Sequence, residues 1–261
     1  MRTFIAVLCV LALIACGREP AGKNKKWVVG TDATLVPMTF INEKGELAGF
    51  EVDLIKALAK EAGMNIELVN VEWEGVLGGL ITKKYDMVIS SVTILDERKR
   101  RMAFSIPYLK SGVALVVRKE MEGVNSLEDA DKKNLRVGAQ VGTTAYFFLE
   151  KYPGIQKKGY QLYGHAVADL IKGEIDVVVG ESTGTLYYKN RQPEYFKKMK
   201  VVGETLANES YGIALRLEDT ELLRKVNTSL SRILSVGIVR KLHEKWDLGQ
   251  AAQVPDKNSP P

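Results

Sequence analysis

The chain has 261 residues, 46% hydrophobic and 26% charged, with 23 Gly, 8 Pro and 2 Cys. That composition is globular, with enough apolar material for a sizeable core, and it excludes a disordered chain. The net charge of +5 is interleaved with acids rather than gathered into the basic stripe of a nucleic-acid binder, and two His residues exclude a histidine-rich metal site. At about 150 residues per domain, the length suits one large domain or two modest ones.

Arg2 precedes an unbroken apolar run over residues 4–15, about half of the roughly 20 residues that cross a bilayer. A positive start, a short apolar stretch and small residues after it read as an export signal. The run ends in Leu13-Ile14-Ala15-Cys16-Gly17, which resembles the bacterial lipoprotein box. That resemblance implies cleavage before Cys16, acyl chains including palmitate on Cys16, and a membrane anchor; the other reading is an ordinary cleaved signal with an incidental cysteine. Cys9 falls inside the signal (residues 1–15), so Cys16 is the one cysteine expected in the mature chain and no intramolecular disulfide forms. More than one acyl chain gives the stable anchoring that a single chain lacks. Residues 16–26 then form a polar, lipidated leash without periodicity.

Strand and helix patterns alternate from there. Residues 27–31 (WVVGT) read as a strand, 42–49 carry a turn, and 50–62 (FEVDLIKALAKEA) place apolar residues at helical period. A strand over 65–71, a helix over 74–82 and a strand over 86–90 follow. The same alternation recurs with a strand at 135–139, helices at 143–151 and 166–172, a strand at 175–179 and a helix at 182–190. Two such runs predict two lobes, each a mainly parallel sheet flanked by helices. The apolar stretches 112–117 (GVALVV) and 209–214 (ESYGIA) are the candidate crossings between them, before helices at 222–235 and 239–246. Two crossings predict a first lobe of residues 27–113 with 211–250, a second lobe of 114–210, and a polar tail over 251–261.

The order and spacing of several short motifs narrow the fold. They are Gly30-Thr31-Asp32 with Pro37 and Phe40, Gly49-Phe50-Glu51-Val52-Asp53-Leu54, Trp73-Glu74-Gly75, Lys84-Tyr85-Asp86 and Ser91-Val92-Thr93-Ile94. Asp96-Glu97-Arg98, Phe104-Ser105 with Pro107-Tyr108, Val137-Gly138, Gly142-Thr143-Thr144, Gly173 with Asp176, and Tyr211-Gly212-Ile213-Ala214 complete the series. Each is weak alone; together, from about Trp27 to Leu248, the chain resembles the periplasmic polar amino-acid-binding proteins of ABC importers, family 3 of the bacterial extracellular solute-binding proteins. The resemblance implies a two-lobe periplasmic-binding-protein fold of type II, joined by a two-strand hinge.

An amino acid offers a carboxylate and an ammonium, and burying both requires a partner for each. A guanidinium meets a carboxylate with a planar fork that lysine lacks. From composition alone Arg98 is one of four bases at 98–101 on a solvated helix face; the resemblance makes it the carboxylate clamp. Ser90, Ser91 and Thr93 lie on the loop leaving a strand, where alternate hydroxyls can face one pocket or cap the loop. Thr143 and Thr144 open a helix after Gly142, which suits either an N-cap or an anion contact from the second lobe. The resemblance places Thr144 on the ligand carboxylate, Asp32 on a polar side chain or the ammonium, and Trp73 as an apolar wall or a core residue. Glu181 stands where the family carries an ammonium-binding aspartate, and its extra methylene changes that geometry; the other reading is an acid at a helix start. Gln140 at a strand end is a candidate side-chain contact. Leu35 and Met38 replace aromatics common in the family, which weakens stacking on a flat ligand. His165 and His243 have no companion ligands in the sequence, so no metal or cofactor is expected.

The resemblance implies an exported binding protein, held by lipid to the outer face of the membrane or in the periplasm. It acts as a monomer that passes a polar, neutral or basic amino acid to an ABC permease, with no catalysis and no nucleic acid. Two acids, Asp32 and Glu181, against Arg98 favour those ligands over acidic ones. Two alternatives stay open. One is a secreted cyclohexadienyl dehydratase on the same fold, whose catalytic glutamate falls at Gly184 here. The other is a sensor module presenting its liganded state to a separate partner.

Overall fold

The computed structural model describes residues 25–255. The export signal, Cys16, most of the leash and the end of the polar tail lie outside the described residues.

From the N-terminus run β1 (Lys26–Thr31), a small meander of β2 (Thr34–Leu35), β3 (Thr39–Ile41) and β4 (Leu47–Ala48), then helix α1 (Phe50–Ala62) and β5 (Asn65–Asn70). Helix α2 (Trp73–Ile81), β6 (Met87–Val88), the single turn α3 (Asp96–Lys99) and β7 (Ala103–Phe104) follow. The chain crosses along β8 (Leu109–Arg118) into α4 (Leu127–Lys132), β9 (Arg136–Gln140), α5 (Thr144–Phe148), β10 (Gln156–Tyr160) and α6 (Tyr163–Lys172). After β11 (Val177–Glu181), α7 (Gly184–Arg191) and α8 (Pro193–Phe196), it returns along β12 (Met199–Tyr211) to β13 (Ala214–Leu215), α9 (Thr220–Ser235) and α10 (Ile238–Lys245).

Two five-stranded sheets result, ordered β5-β1-β6-β13-β7 and β10-β9-β11-β8-β12. In each, three strands run parallel: β5, β1 and β6 in the first, β10, β9 and β11 in the second. Strands β13 and β8 pair antiparallel with their neighbours. This is the α/β architecture of two mainly parallel sheets that the alternation predicts.

Local chemistry sets the elements. Helix α1 carries Glu51 and Asp53 in its first turn and Lys60 in its last, matching the helix dipole, and ends at Gly63 in the left-handed region (φ 60), whose N–H meets the Ala59 and Lys60 carbonyls. Its buried residues Phe50, Leu54, Ile55 and Leu58 pack with Leu222, Val226, Leu230 and Ile233 of α9 in one core. Each such side chain contributes about 1.5–3 kcal/mol on burial. A second core under the other sheet holds Val113, Leu115, Val117, Val137, Val177 and Val179.

Strands β8 and β12, neighbours in the second sheet, carry the chain between the two sheets among the described residues. They pair antiparallel from Leu109↔Tyr211 to Arg118↔Met199, with an irregularity between Val202 and Ala207. Most of β8 is buried, so it shows an apolar run in place of alternation.

Some expectations shift. The strand expected at 86–90 shrinks to Met87–Val88, because the Asp86 carboxylate accepts from the Val28 N–H and the chain turns at Ser91 (φ 47). Strand β12 starts ten residues before the expected crossing. Strand β10 (QKKGY) went unseen because it is an exposed edge with no apolar period. Among the described residues no helix is long and apolar enough to cross a membrane, and no cluster of His, Cys, Asp and Glu could hold a metal.

Candidate functional site

The carboxyl ends of strands from both sheets converge on one cavity, the usual ligand position in open α/β sheets. It encloses about 590 Å³ of atom-free space, part of it open to solvent. Asp32 follows β1, Ser90 and Ser91 follow β6, and Trp73 opens α2; from the second sheet come Gln140 of β9, Thr143, and Glu181 of β11. All seven are residues singled out from sequence. Leu35, Glu51 and Tyr163 also line it.

Arg98, Thr93 and Thr144 stand beside this cavity, where the two halves meet. Of the four bases at 98–101 only Arg98 turns inward, half-buried while its three neighbours are exposed. Its guanidinium donates to the Thr93 carbonyl (3.1 Å) and, across the cleft, to the Gly142 carbonyl (3.3 Å). The Trp73 ring centroid lies 5.7 Å from it, in cation–π range. Burial pushes the Arg98 pKa down, while the nearby Glu209 and Glu181 carboxylates push it up. Gly142 has φ 76, and a Cβ there would come within 3.3 Å of Trp73 Nε1, so glycine is what lets the loop approach the tryptophan.

The hydroxyls are already committed. Thr143 caps α5, accepting from the Tyr146 N–H (3.3 Å) and donating to the Gln140 carbonyl (2.7 Å). Thr144 Oγ1 donates to Thr93 Oγ1 (3.3 Å), joining the halves, and Thr93 Oγ1 donates to Glu209 Oε2 (2.8 Å). Because α5 spans only five residues, its dipole offers little to an anion.

On the first-sheet side, Ser90 Oγ accepts from the Asp32 N–H (3.0 Å). The backbone at Ser91 leaves the extended region, so Ser91 and Thr93 do not alternate as a strand would. Ser91 instead donates its N–H (2.6 Å) and its hydroxyl (3.1 Å) to Glu51. Glu51 also accepts from Thr39 Oγ1 (2.9 Å) and the Tyr108 hydroxyl. It is a fully satisfied buried carboxylate that braces the pocket wall.

Asp32 is 6% exposed and its Oδ1 has no hydrogen-bond partner. Burial raises its pKa, opposed by hydrogen bonds from Thr34 and the Trp73 backbone. Glu181 is half-buried, its open side facing the cavity. Burial first, and the Glu209 charge second, push its pKa up to about 8 against the opposing pull of Arg98. Gln140 donates from Nε2 to the Gln161 carbonyl (2.9 Å) at the cavity's edge.

The cavity and the cluster beside it together hold all ten residues singled out from sequence. Sequence reasoning missed three others. Glu209 lies 116 residues from Thr93 and belongs to a motif that reads as a crossing strand. Glu51 reads as a first-turn helix acid, and Tyr163 as a residue before a helix. The signal available was a buried-side acid within an apolar crossing strand, as at Glu209.

Four likenesses to known proteins bear on this site. Residues 27–250 match the model of the bacterial extracellular solute-binding proteins, family 3. The L-cystine-binding protein TcyJ of Escherichia coli is 33% identical over 220 residues, covering 84% of this chain and 81% of that protein. A solved ancestral arginine-binding protein bound to arginine superposes with a TM-score of 0.80 at 37% identity, over 86% of this chain and 99% of that one. An ancestral amino acid-binding protein described as a precursor of cyclohexadienyl dehydratase superposes with a TM-score of 0.77 at 34% identity, over 85% and 95%.

Proposed function

This chain belongs to the bacterial extracellular solute-binding proteins, family 3, and we propose that it captures a polar amino acid between its two lobes and delivers it to an ABC permease. Within that class the geometry favours a basic amino acid. The carrying observation is the buried Asp32 Oδ1 without a hydrogen-bond partner, on the wall of a cavity whose far side presents Glu181. A buried carboxylate oxygen without a partner is costly unless a cation or donor meets it.

Arg98, with Thr93 and Thr144, is the proposed seat for the ligand carboxylate, and Glu181 for its ammonium. Asp32, whose N–H is held by Ser90, takes the far end of the side chain, with Ser91 and Gln140 lining the same cavity. Trp73 walls the cleft and stacks beside Arg98, and Thr143 holds the loop that carries Thr144. The lobes we assign are residues 27–113 with 211–250 and residues 114–210, hinged on β8 and β12; closure buries both ligand charges. Support for binding over dehydration comes from Gly184: it has no proton-donating side chain, and a Cβ there would come within 2.9 Å of the Tyr163 ring.

Attachment through acylated Cys16 to the outer face of the membrane or in the periplasm, as a monomer, completes the reading. Incorporation of labelled palmitate, abolished in Cys16→Ser, tests the anchor.

A thermal-shift screen of unfolded and refolded protein against the twenty amino acids, ornithine and prephenate tests the function. A ligand at a hundredfold excess over its Kd stabilises by about 2.7 kcal/mol. Shifts with arginine, lysine or ornithine support the reading; a shift with prephenate alone would revive the dehydratase.

A further inference from the structure

Glu209 sits on β12, in the hinge, yet its carboxylate meets the hydroxyls of the proposed ligand seat. It is 4% exposed; Oε2 accepts from Thr93 Oγ1 at 2.8 Å, and Oε1 is buried without a partner. A threonine hydroxyl has one proton to donate and two lone pairs to accept with. Here that proton is spent on Glu209, and a lone pair of Thr93 Oγ1 accepts from Thr144. An incoming carboxylate would therefore meet an oxygen with no proton to offer, beside another carboxylate.

Resting on the function proposed above, we propose that Glu209 is a positioning residue for the ligand carboxylate. The amino acid binds with a proton on Glu209, whose carboxyl then donates to Thr93 Oγ1 and turns the Thr93 hydroxyl proton toward the ligand. The proton comes from Glu181 as that residue meets the ligand ammonium, or from water when the pair holds none. The groups facing Glu209 agree with this exchange. Burial raises its pKa, against the pull of the Thr93 hydroxyl and of Arg98 on α3. Glu181 of β11 and Glu209 push on one another, and Tyr211 on the same strand feels both. Lys110 of β8 lines a second, polar cavity that Glu209 also borders. One arginine thus faces two carboxylates before a third arrives.

The test is the arginine Kd of wild type and Glu209→Gln between pH 6 and 9, by titration calorimetry on refolded protein. The amide of the variant donates permanently and needs no proton. The ligand-ammonium titration acts on both proteins and cancels in the ratio of Kd values, whereas Glu181 can pass its proton to Glu209 only in wild type, so the ratio reports that exchange. The ratio of wild type to variant should rise with pH, by up to about tenfold per unit. A ratio that stays flat with pH, or a folded variant more than about tenfold weaker at every pH, overturns the proposal while leaving the functional reading intact. No binding of arginine, lysine, ornithine or glutamine by wild type would overturn that reading and the proposal with it. Protein without amino acid gives a second readout. A carboxyl with a raised pKa loses stability as pH rises, so wild type should lose more stability than the variant between pH 6 and 9, and equal slopes would contradict a proton on Glu209.

Discussion

The Ser91 N–H donates to Glu51 Oε1 across 2.6 Å, and the Ser91 hydroxyl reaches the same oxygen at 3.1 Å. This pair fixes a non-glycine residue at φ 47 on the cavity wall, a conformation that persists only where its surroundings over-determine it. Glu51→Ala removes the acceptor for Ser91, Thr39 and Tyr108 at once. Leaving buried donors unsatisfied costs about 1–3 kcal/mol each, so the variant should lose at least about 3 kcal/mol in urea unfolding. A loss below about 1 kcal/mol would show that the bracing is dispensable.

Arg98 is the cation of the proposed carboxylate seat, and its three basic neighbours are not. Arg98→Ala should weaken amino-acid binding by about a hundredfold or more, as expected when one partner of a buried charge pair is truncated. Arg98→Lys should recover only part, because an ammonium lacks the fork. Arg101→Ala serves as the control and should bind as wild type does. Equal losses in the Arg98 and Arg101 variants would remove the clamp assignment.

Asp32 supplies a test of ligand charge. Asp32→Asn keeps the shape but removes the charge facing the side-chain end of the cavity. Its affinity for arginine or lysine should fall by about tenfold or more, that for glutamine by less than about threefold, as for a charged against a neutral hydrogen bond. A uniform loss across both ligands would place Asp32 on the ammonium, the other contact its position allows.

Asp176 joins the second sheet's strands and gives a pH signature away from the cavity. Its carboxylate meets Arg136 at 2.8 Å and Arg118 at 3.2 Å. Hydrogen bonds from Arg136 lower its pKa from 3.8 to about 2. A depressed acid stabilises the fold above its unfolded pKa and loses that contribution as pH falls through the folded value. With solvent screening, Asp176→Asn should cost about 1–2 kcal/mol at pH 7 and nearly nothing at pH 2. A cost that stays constant with pH would show packing, not charge, at this position.

The legible parts of the fold were those with strong periodicity. The expected helix at 50–62 and the observed Phe50–Ala62 coincide because seven apolar residues and a Gly63 stop agree on one frame. Strand β10 was illegible because a solvated edge needs no apolar face, and α3 because four residues carry no period. At the site, residues inside ordered motifs could be placed one by one. Glu209 could not, since its role depends on a strand crossing that brings it to a threonine 116 residues away. Nor does a sequence reveal that Ser91 and Thr93 give their protons to carboxylates behind the wall.

The central claim is that a buried acid-rich cleft with one inward arginine binds a basic amino acid. Titration calorimetry of refolded protein with arginine, lysine, glutamine and glutamate at pH 7 tests it most directly. The account predicts one-to-one binding of arginine or lysine at least about tenfold tighter than glutamine, with glutamate weakest. Glutamate as the tightest ligand, or no binding of any of the four, would contradict it.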